Sequence, residues 1–200
     1  DHWSALMRVY RYLRGTSSRA LVFNGSSSAE SDGSLLGYAD ADWAADVNDR
    51  RSISGYTFLL SNAAISWQSK KQTSVALSST EAEYVAMGAA AKEALWIRTF
   101  LSEIFGSTFD APDDSNPRTS SSPGTLHLVD NQSAMALAKN SEFHDRTKHI
   151  AVRHHFIRDE IEEGRIRVAY VPTGDQVADV LTKALAREKH DRFCTGLGLQ

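Results

Sequence analysis

Four acidic side chains stand out for the sequence around them. Asp40 lies in GYADADW, Glu83 in SSTEAEY, Asp130 in LHLVDNQ and Asp179 in DQVADVL. Carboxylates gathered at one point suit magnesium, which prefers hard oxygen ligands and keeps several waters. Two such ions roughly 3.5–4 Å apart can activate an attacking water and stabilise the leaving oxygen of a phosphodiester. Without cations the gathering is costly, because like charges repel and raise one another's pKa. Taken singly, each residue has a plainer reading. Asp40 and its neighbour Asp42 can be exposed strand residues. Glu83 can be the partner of Thr80 in a T-x-x-E capping box. Asp130 can cap the helix that follows it, and Asp179 can be a favourable charge in the first turn of a helix. Their order and the elements that carry them favour the joint reading.

Those elements follow from periodicity and punctuation. Leu35–Trp43 predicts a strand, as do Gly55–Leu60 and Ala64–Ser69, which the polar pair Ser61–Asn62 joins in a tight turn. A helix runs from Ser78–Thr80 to about Phe105. Thr125–Val129 predicts a fourth strand, Asn131–Lys139 a short helix, Ile150–Glu163 a helix ended by Gly164, and Arg165–Val171 a strand stopped by Pro172. Val177–Ala186 predicts a final helix. Early strands joined by short turns are antiparallel, and later ones reached by crossovers are parallel. The expected fold is α/β, a mixed five-stranded sheet with three antiparallel strands and then parallel ones, flanked by helices. Asp40 and Asp130 would lie side by side at the sheet centre, with Glu83 and Asp179 brought in from helix starts. Ahead of this, Trp3, Leu6, Met7, Tyr10 and Leu13 recur at helical spacing, with Gly15 as the stop. Ala20–Phe23 reads as a short strand, Ser26–Ser34 as a Ser-rich loop and 110–124 as a flexible connection.

The blocks YADADWAADVNDRRSISGY, ISWQSKKQTSVALSSTEAEY, VDNQSAMALAKN, RTKHIAVRHHFIRDEI and YVPTGDQVADVLTKAL together resemble the ribonuclease H domain of copia-type LTR retrotransposon Pol polyproteins. The resemblance covers nearly the whole chain. It implies a ribonuclease H-like domain over 35–187, a connection from the reverse transcriptase over 1–34 and a tail over 188–200. It also implies an endonuclease that cuts the RNA strand of RNA–DNA hybrids during reverse transcription. Two Mg²⁺ ions would serve as cofactors, with Mn²⁺ as substitute, and no small-molecule cofactor. The partners would be the hybrid and the upstream reverse transcriptase domain. The setting would be the cytoplasm, in the element's particle, or the nucleus. The family's catalytic and metal-binding residues match Asp40, Glu83, Asp130 and Asp179, with Glu81 competing for the glutamate's place. Asp179 matches the least essential of the four. The chain departs from many relatives in having no histidine in the loop Thr173–Gln176, and it lacks an obvious basic insertion.

Ser79, Thr80, Asn131 and Gln132 flank the carboxylates and are candidates for reading 2′-OH groups, with helix capping the competing role for the first two. Arg50, Arg51, Lys70 and Lys71 are expected in turns, in reach of phosphates. The run His144–His155 lacks a cysteine partner and familiar ligand spacing, so it reads as a basic helix in preference to a zinc site. Trp67 and Trp96 are expected in the core. At 200 residues and 42% hydrophobic content, the chain can build one sizeable core. Its longest apolar runs are strand-sized, so no membrane partner is expected. The lone Cys194 excludes an internal disulfide. Residue 1 is Asp, so the chain is expected to be a fragment. A net charge of −3 argues against a free-standing high-affinity nucleic-acid binder but not against a nuclease tethered to a larger enzyme. Two rivals remain. An integrase or transposase of the same superfamily usually orders its acids Asp, Asp, Glu, unlike the Asp, Glu, Asp, Asp here. An inert domain that only tethers the polymerase to template would not need all four.

Overall fold

The computed structural model describes residues 1–23, 35–105, 124–139 and 151–200, without the side chains of 151–155. The Ser-rich loop, all but Gly124 of the 110–124 connection, and His144 and His149 lie outside the described residues, as do the side chains of His154 and His155.

The sheet has five strands: β1 (Leu36–Ala41), β2 (Ile53–Leu60), β3 (Ala63–Lys71), β4 (Thr125–Val129) and β5 (Ile166–Tyr170). Their order is β3-β2-β1-β4-β5. β1 pairs antiparallel with β2, and β2 with β3, whereas β1–β4 and β4–β5 are parallel. This is the mixed five-stranded sheet expected above, with three antiparallel strands and then parallel ones. The β2–β3 hairpin turns at Ser61 (φ 51°) and Asn62 (φ 63°), the double positive φ whose twist matches that of paired strands.

The helices are α1 (His2–Gly15), α2 (Ser79–Phe105), α3 (Gln132–Lys139), α4 (Ala151–Glu162) and α5 (Arg187–Gly196). α2 lies on β1 and β2 through Tyr84, Met87, Ala90, Ala91, Ala94, Ile97 and Leu101, at helical spacing. Its alanines at i, i+4 let the helix approach the sheet closely. The opposite face is covered by a smaller cluster of Leu59, Ala64, Val177, Phe193 and Leu197. Among the described residues no helix is long and apolar enough to cross a membrane.

Several expectations need correction. The segment Val177–Ala186 is not a regular helix: only Val177–Leu181 is helical, as a 3₁₀ turn. The backbone N–H groups of Thr182 and Lys183 both close onto the Asp179 carbonyl, and their side chains turn in onto the acids. Trp67 and Trp96 are 58% and 60% exposed, not core residues; Trp96 stacks on Phe100 at 5.5 Å along the outer face of α2. Lys70 and Lys71 end β3 instead of sitting in a turn. The Ala20–Phe23 strand shrinks to one bridge, Leu21 with Leu199. The α5 helix, for which no element was expected, packs Phe193 under the sheet, joined by Leu197 just past its end.

Candidate metal centre

The four acids arrive from four different elements. Asp40 is near the end of β1, fully buried, opposite Gly55 of β2. Asp130 follows the last residue of β4 and is half-buried. Asp179 lies in the 3₁₀ turn and is fully buried. Each of these three offers an oxygen within 4.8 Å of the others'. Glu83, in the first turns of α2, is buried beside them. Its Oε2 accepts a hydrogen bond from the Ala41 N–H at 3.1 Å, and the Asp40 charge acts on it. The sequence-based set is therefore gathered at one place, at the ends of the two central parallel strands.

The plainer readings of these residues go to their neighbours. The N-terminus of α2 is capped by Ser78, whose Oγ accepts from the Glu81 N–H at 3.1 Å, while the Glu81 carboxylate accepts from the Leu77 N–H at 2.7 Å. The sequence SSTEAE contains two overlapping S/T-x-x-E frames, and the helix starts in the first. Thr80 and Glu83 are thus not the capping pair, and Glu81 is occupied. α3 is capped by Asn131, whose Oδ1 accepts from the Ala134 N–H at 2.9 Å, which frees Asp130. Asp42 is also buried, but its carboxylate accepts from the Ile53 N–H and fastens the end of the β1–β2 pair. Ser79 is exposed at the start of α2, Thr80 is half-buried, and Gln132 is exposed at the start of α3. Lys71 is paired with Asp46 and Asp49 of the β1–β2 connection.

Besides Thr182, whose hydroxyl donates to Asp40 Oδ2, three residues of the site were not found from the sequence. Lys183 Nζ donates to Asp40 Oδ1 at 2.9 Å and Asp179 Oδ1 at 2.7 Å. Lys189, on α5, donates to Asp179 Oδ2 at 2.6 Å. Gln176 is fully buried; its Nε2 donates to the Ala39 and Leu128 carbonyls at 3.0 and 3.3 Å, and its Oε1 accepts from the Ala178 N–H. That amide ties the two strands together where their pairing ends and anchors the 3₁₀ turn that presents Asp179. The i, i+4 spacing of Asp179 and Lys183 was a legible signal. Gln176 gave none, since its partners are backbone carbonyls on distant strands.

The electrostatics follow from burial and crowding. Burial, then the charges of Asp40 and Asp130, push the Glu83 carboxyl up to about 9. Burial also raises Asp40, opposed by Lys183 and by the Thr182 hydroxyl that donates to it. Burial alone would lower Lys183, but Asp40 and Asp179 raise it overall. All-oxygen donors converging from separate elements, with a carboxyl that cannot ionise at neutral pH unaided, fit a hard divalent cation.

No family model matches the chain. The retrovirus-related Pol polyprotein from transposon TNT 1-94 of Nicotiana tabacum is 42% identical over 197 residues, covering 96% of this chain. That from transposon RE2 of Arabidopsis thaliana is 41% identical over 199 residues, covering all of it. The chain spans only 13% and 12% of those two relatives. Among solved structures, the ribonuclease H1 LC11 isolated from compost by a metagenomic approach is 14% identical, with a TM-score of 0.49 over 80% of this chain and 97% of that one.

Proposed function

We propose that this segment of a retrovirus-related Pol polyprotein is a metal-dependent endonuclease of the ribonuclease H type, hydrolysing the RNA strand of RNA–DNA hybrids during reverse transcription. The observation that carries this reading is the convergence of Asp40, Asp130 and Asp179 within 4.8 Å, with Glu83 buried at their side and held by the Ala41 N–H.

Asp40, Glu83, Asp130 and Asp179 would hold the cations. Magnesium, when bound, supplies the positive charge that activates water and stabilises the leaving oxygen of a phosphodiester. The protein's own part is to fix the ligands. β1 and β4 hold Asp40 and Asp130 on rigid strands, Gln176 holds the turn of Asp179, and the Ala41 N–H orients Glu83. Glu83 keeps a proton at neutral pH and gives it up when positive charge binds. Ser79, Thr80 and Gln132, on the first turns of α2 and α3, would meet 2′-OH groups. Asn131 spends its Oδ1 on capping α3 and keeps its amide N–H₂ for the same purpose. The connection over 1–34 would lead from the polymerase, in the cytoplasmic particle where the copy is made.

The test is direct. The chain, alone and joined to its upstream polymerase, is incubated with labelled RNA–DNA hybrid and Mg²⁺. RNA cleavage is expected, and Asp130→Asn should abolish it without unfolding the protein. No cleavage in either form, with the fold verified, would leave an inert tether. Cleavage that survives Asp130→Asn would place the chemistry elsewhere.

A further inference from the structure

Lys183 sits inside the carboxylate cluster. Its ammonium bridges Asp40 Oδ1 and Asp179 Oδ1 at 2.9 and 2.7 Å, and its side chain is about one-third exposed, at 34%. The remaining oxygens of the two acids also have internal donors: the Thr182 hydroxyl on Asp40 Oδ2 and Lys189 Nζ on Asp179 Oδ2. Asp40 and Asp179 also belong to the trio whose oxygens lie within 4.8 Å of one another. A lysine ammonium is a compact point charge with three donors and no acceptor. It can answer the repulsion between two buried carboxylates as a metal ion does, but it cannot share those oxygens with a metal without like-charge repulsion. The 3₁₀ turn keeps it there, because the Lys183 N–H is itself bonded to the Asp179 carbonyl at 2.9 Å.

We propose that Lys183 is a resident counter-ion that competes with the divalent cation for Asp40 and Asp179. It stabilises the cluster when no metal is bound and weakens metal affinity. The side chain must withdraw toward solvent when those oxygens ligate a cation, and its partial exposure gives it a route. This rests on the reading of the cluster as a metal site.

The experiment measures melting in chelator and Mn²⁺ binding by calorimetry for the full chain and its Lys183 variants. For Lys183→Gln, melting in EDTA should fall by about 5 °C. Its Mn²⁺ dissociation constant should tighten by roughly tenfold, since the competitor is gone. Lys183→Arg keeps the charge, so it should restore melting in EDTA and bind Mn²⁺ no more tightly than wild type. A purely structural lysine would lower stability without tightening metal binding. Unchanged or weaker binding in a folded Lys183→Gln therefore overturns the proposal, as does an unchanged melting temperature in EDTA. If Lys183→Gln is unfolded in EDTA, saturating Mn²⁺ should refold it, and failure to do so counts against the counter-ion role. Tighter binding by Lys183→Arg also overturns it. If wild type takes up no divalent cation at all, the metal reading fails; if wild type binds and Lys183→Gln binds no better, only the role of Lys183 fails.

Discussion

The two halves of the carboxylate cluster carry the same chemistry on different terms. Asp40 and Asp179 are fully buried and met by ammonium groups from Lys183 and Lys189. Among the described residues, no cation is paired with Glu83 or Asp130. Glu83 accepts from the Ala41 N–H and feels the charges of Asp40 and Asp130. One half is thus neutralised by internal ammonium groups, whereas in the other Glu83 holds a proton. Ionised carboxylates cannot be buried side by side without one of these devices. Glu83 is the member that senses pH and added positive charge most directly.

The largest effect expected is on Asp40, which Lys183 meets directly and whose charge acts on Glu83 of the other half. Asp40→Asn should slow hybrid cleavage on the order of 10³-fold, about 4 kcal/mol in barrier. It should also erase any rise in melting temperature caused by Mg²⁺. A variant that keeps within tenfold of wild-type rate would show that the cluster is not one unit.

The next effect is on stability in chelator. The folded pKa of Glu83, about 9, lies above its ordinary value of 4.5. The folded state therefore holds a proton that the unfolded state lacks, and stability falls as pH rises through that window. His127 works in the other direction. It is fully buried against Phe58, its Nε2 has no hydrogen-bond partner among the described residues, and burial lowers its pKa from 6.5 to about 4. Its contribution is lost as pH falls through 6.5 toward 4. The two oppose each other between 4.5 and 6.5, so the Glu83 slope should be clean only above pH 6.5. Denaturant titrations should show a loss of at most about 3 kcal/mol between pH 6.5 and 9. Glu83→Gln should flatten that slope; an equal slope in the variant would assign the pH dependence to other groups.

The difference between the halves also marks what the sequence could reveal. Strand patterns and turn chemistry placed β1, β2, β3, β4 and β5 within a few residues, and so located Asp40 and Asp130 at the sheet centre. Those signals are local: alternation, a two-residue polar turn and proline stops. The surroundings of Asp179 were misread for the opposite reason. Its 3₁₀ turn is shaped by Gln176 on distant carbonyls and by Thr182 and Lys183 folding onto Asp40, and periodicity cannot see such contacts. The resemblance preferred Glu83 to Glu81; in the structure the two are separated by which of two capping frames starts α2, and local sequence offers both. Trp67 and Trp96 were assigned to the core by residue type alone, but hydrophobic residues also populate surfaces.

A smaller effect probes how the lysine-bearing half is held in place. Gly55 faces Asp40 across the β1–β2 pair, and a Cβ there would lie 2.7 Å from Thr182 Cγ2 and 2.9 Å from Leu181 Cβ. The 3₁₀ turn can approach β2 only because that position has no side chain. Gly55→Ala should cost about 2 kcal/mol of stability by overpacking. It should also push Thr182 and Lys183 away from Asp40. Gly15→Ala, with nothing within 4 Å of its added methyl, is the control and should be near neutral. Equal stability of the two variants would mean that the turn is not fixed by this contact.

The smallest effect tests why Glu83 is free to join the cluster at all. If Ser78 and Glu81 cap α2, Ser78→Ala should cost about 1 kcal/mol and Thr80→Ala only a few tenths. Neither residue is an acid of the cluster, so Mn²⁺ affinity should hold in both. Thermal melts in chelator separate the two frames. A costly Thr80→Ala with a silent Ser78→Ala would start the helix two residues later. Glu83 would then be spent on the cap, and its half of the cluster would lose its main member.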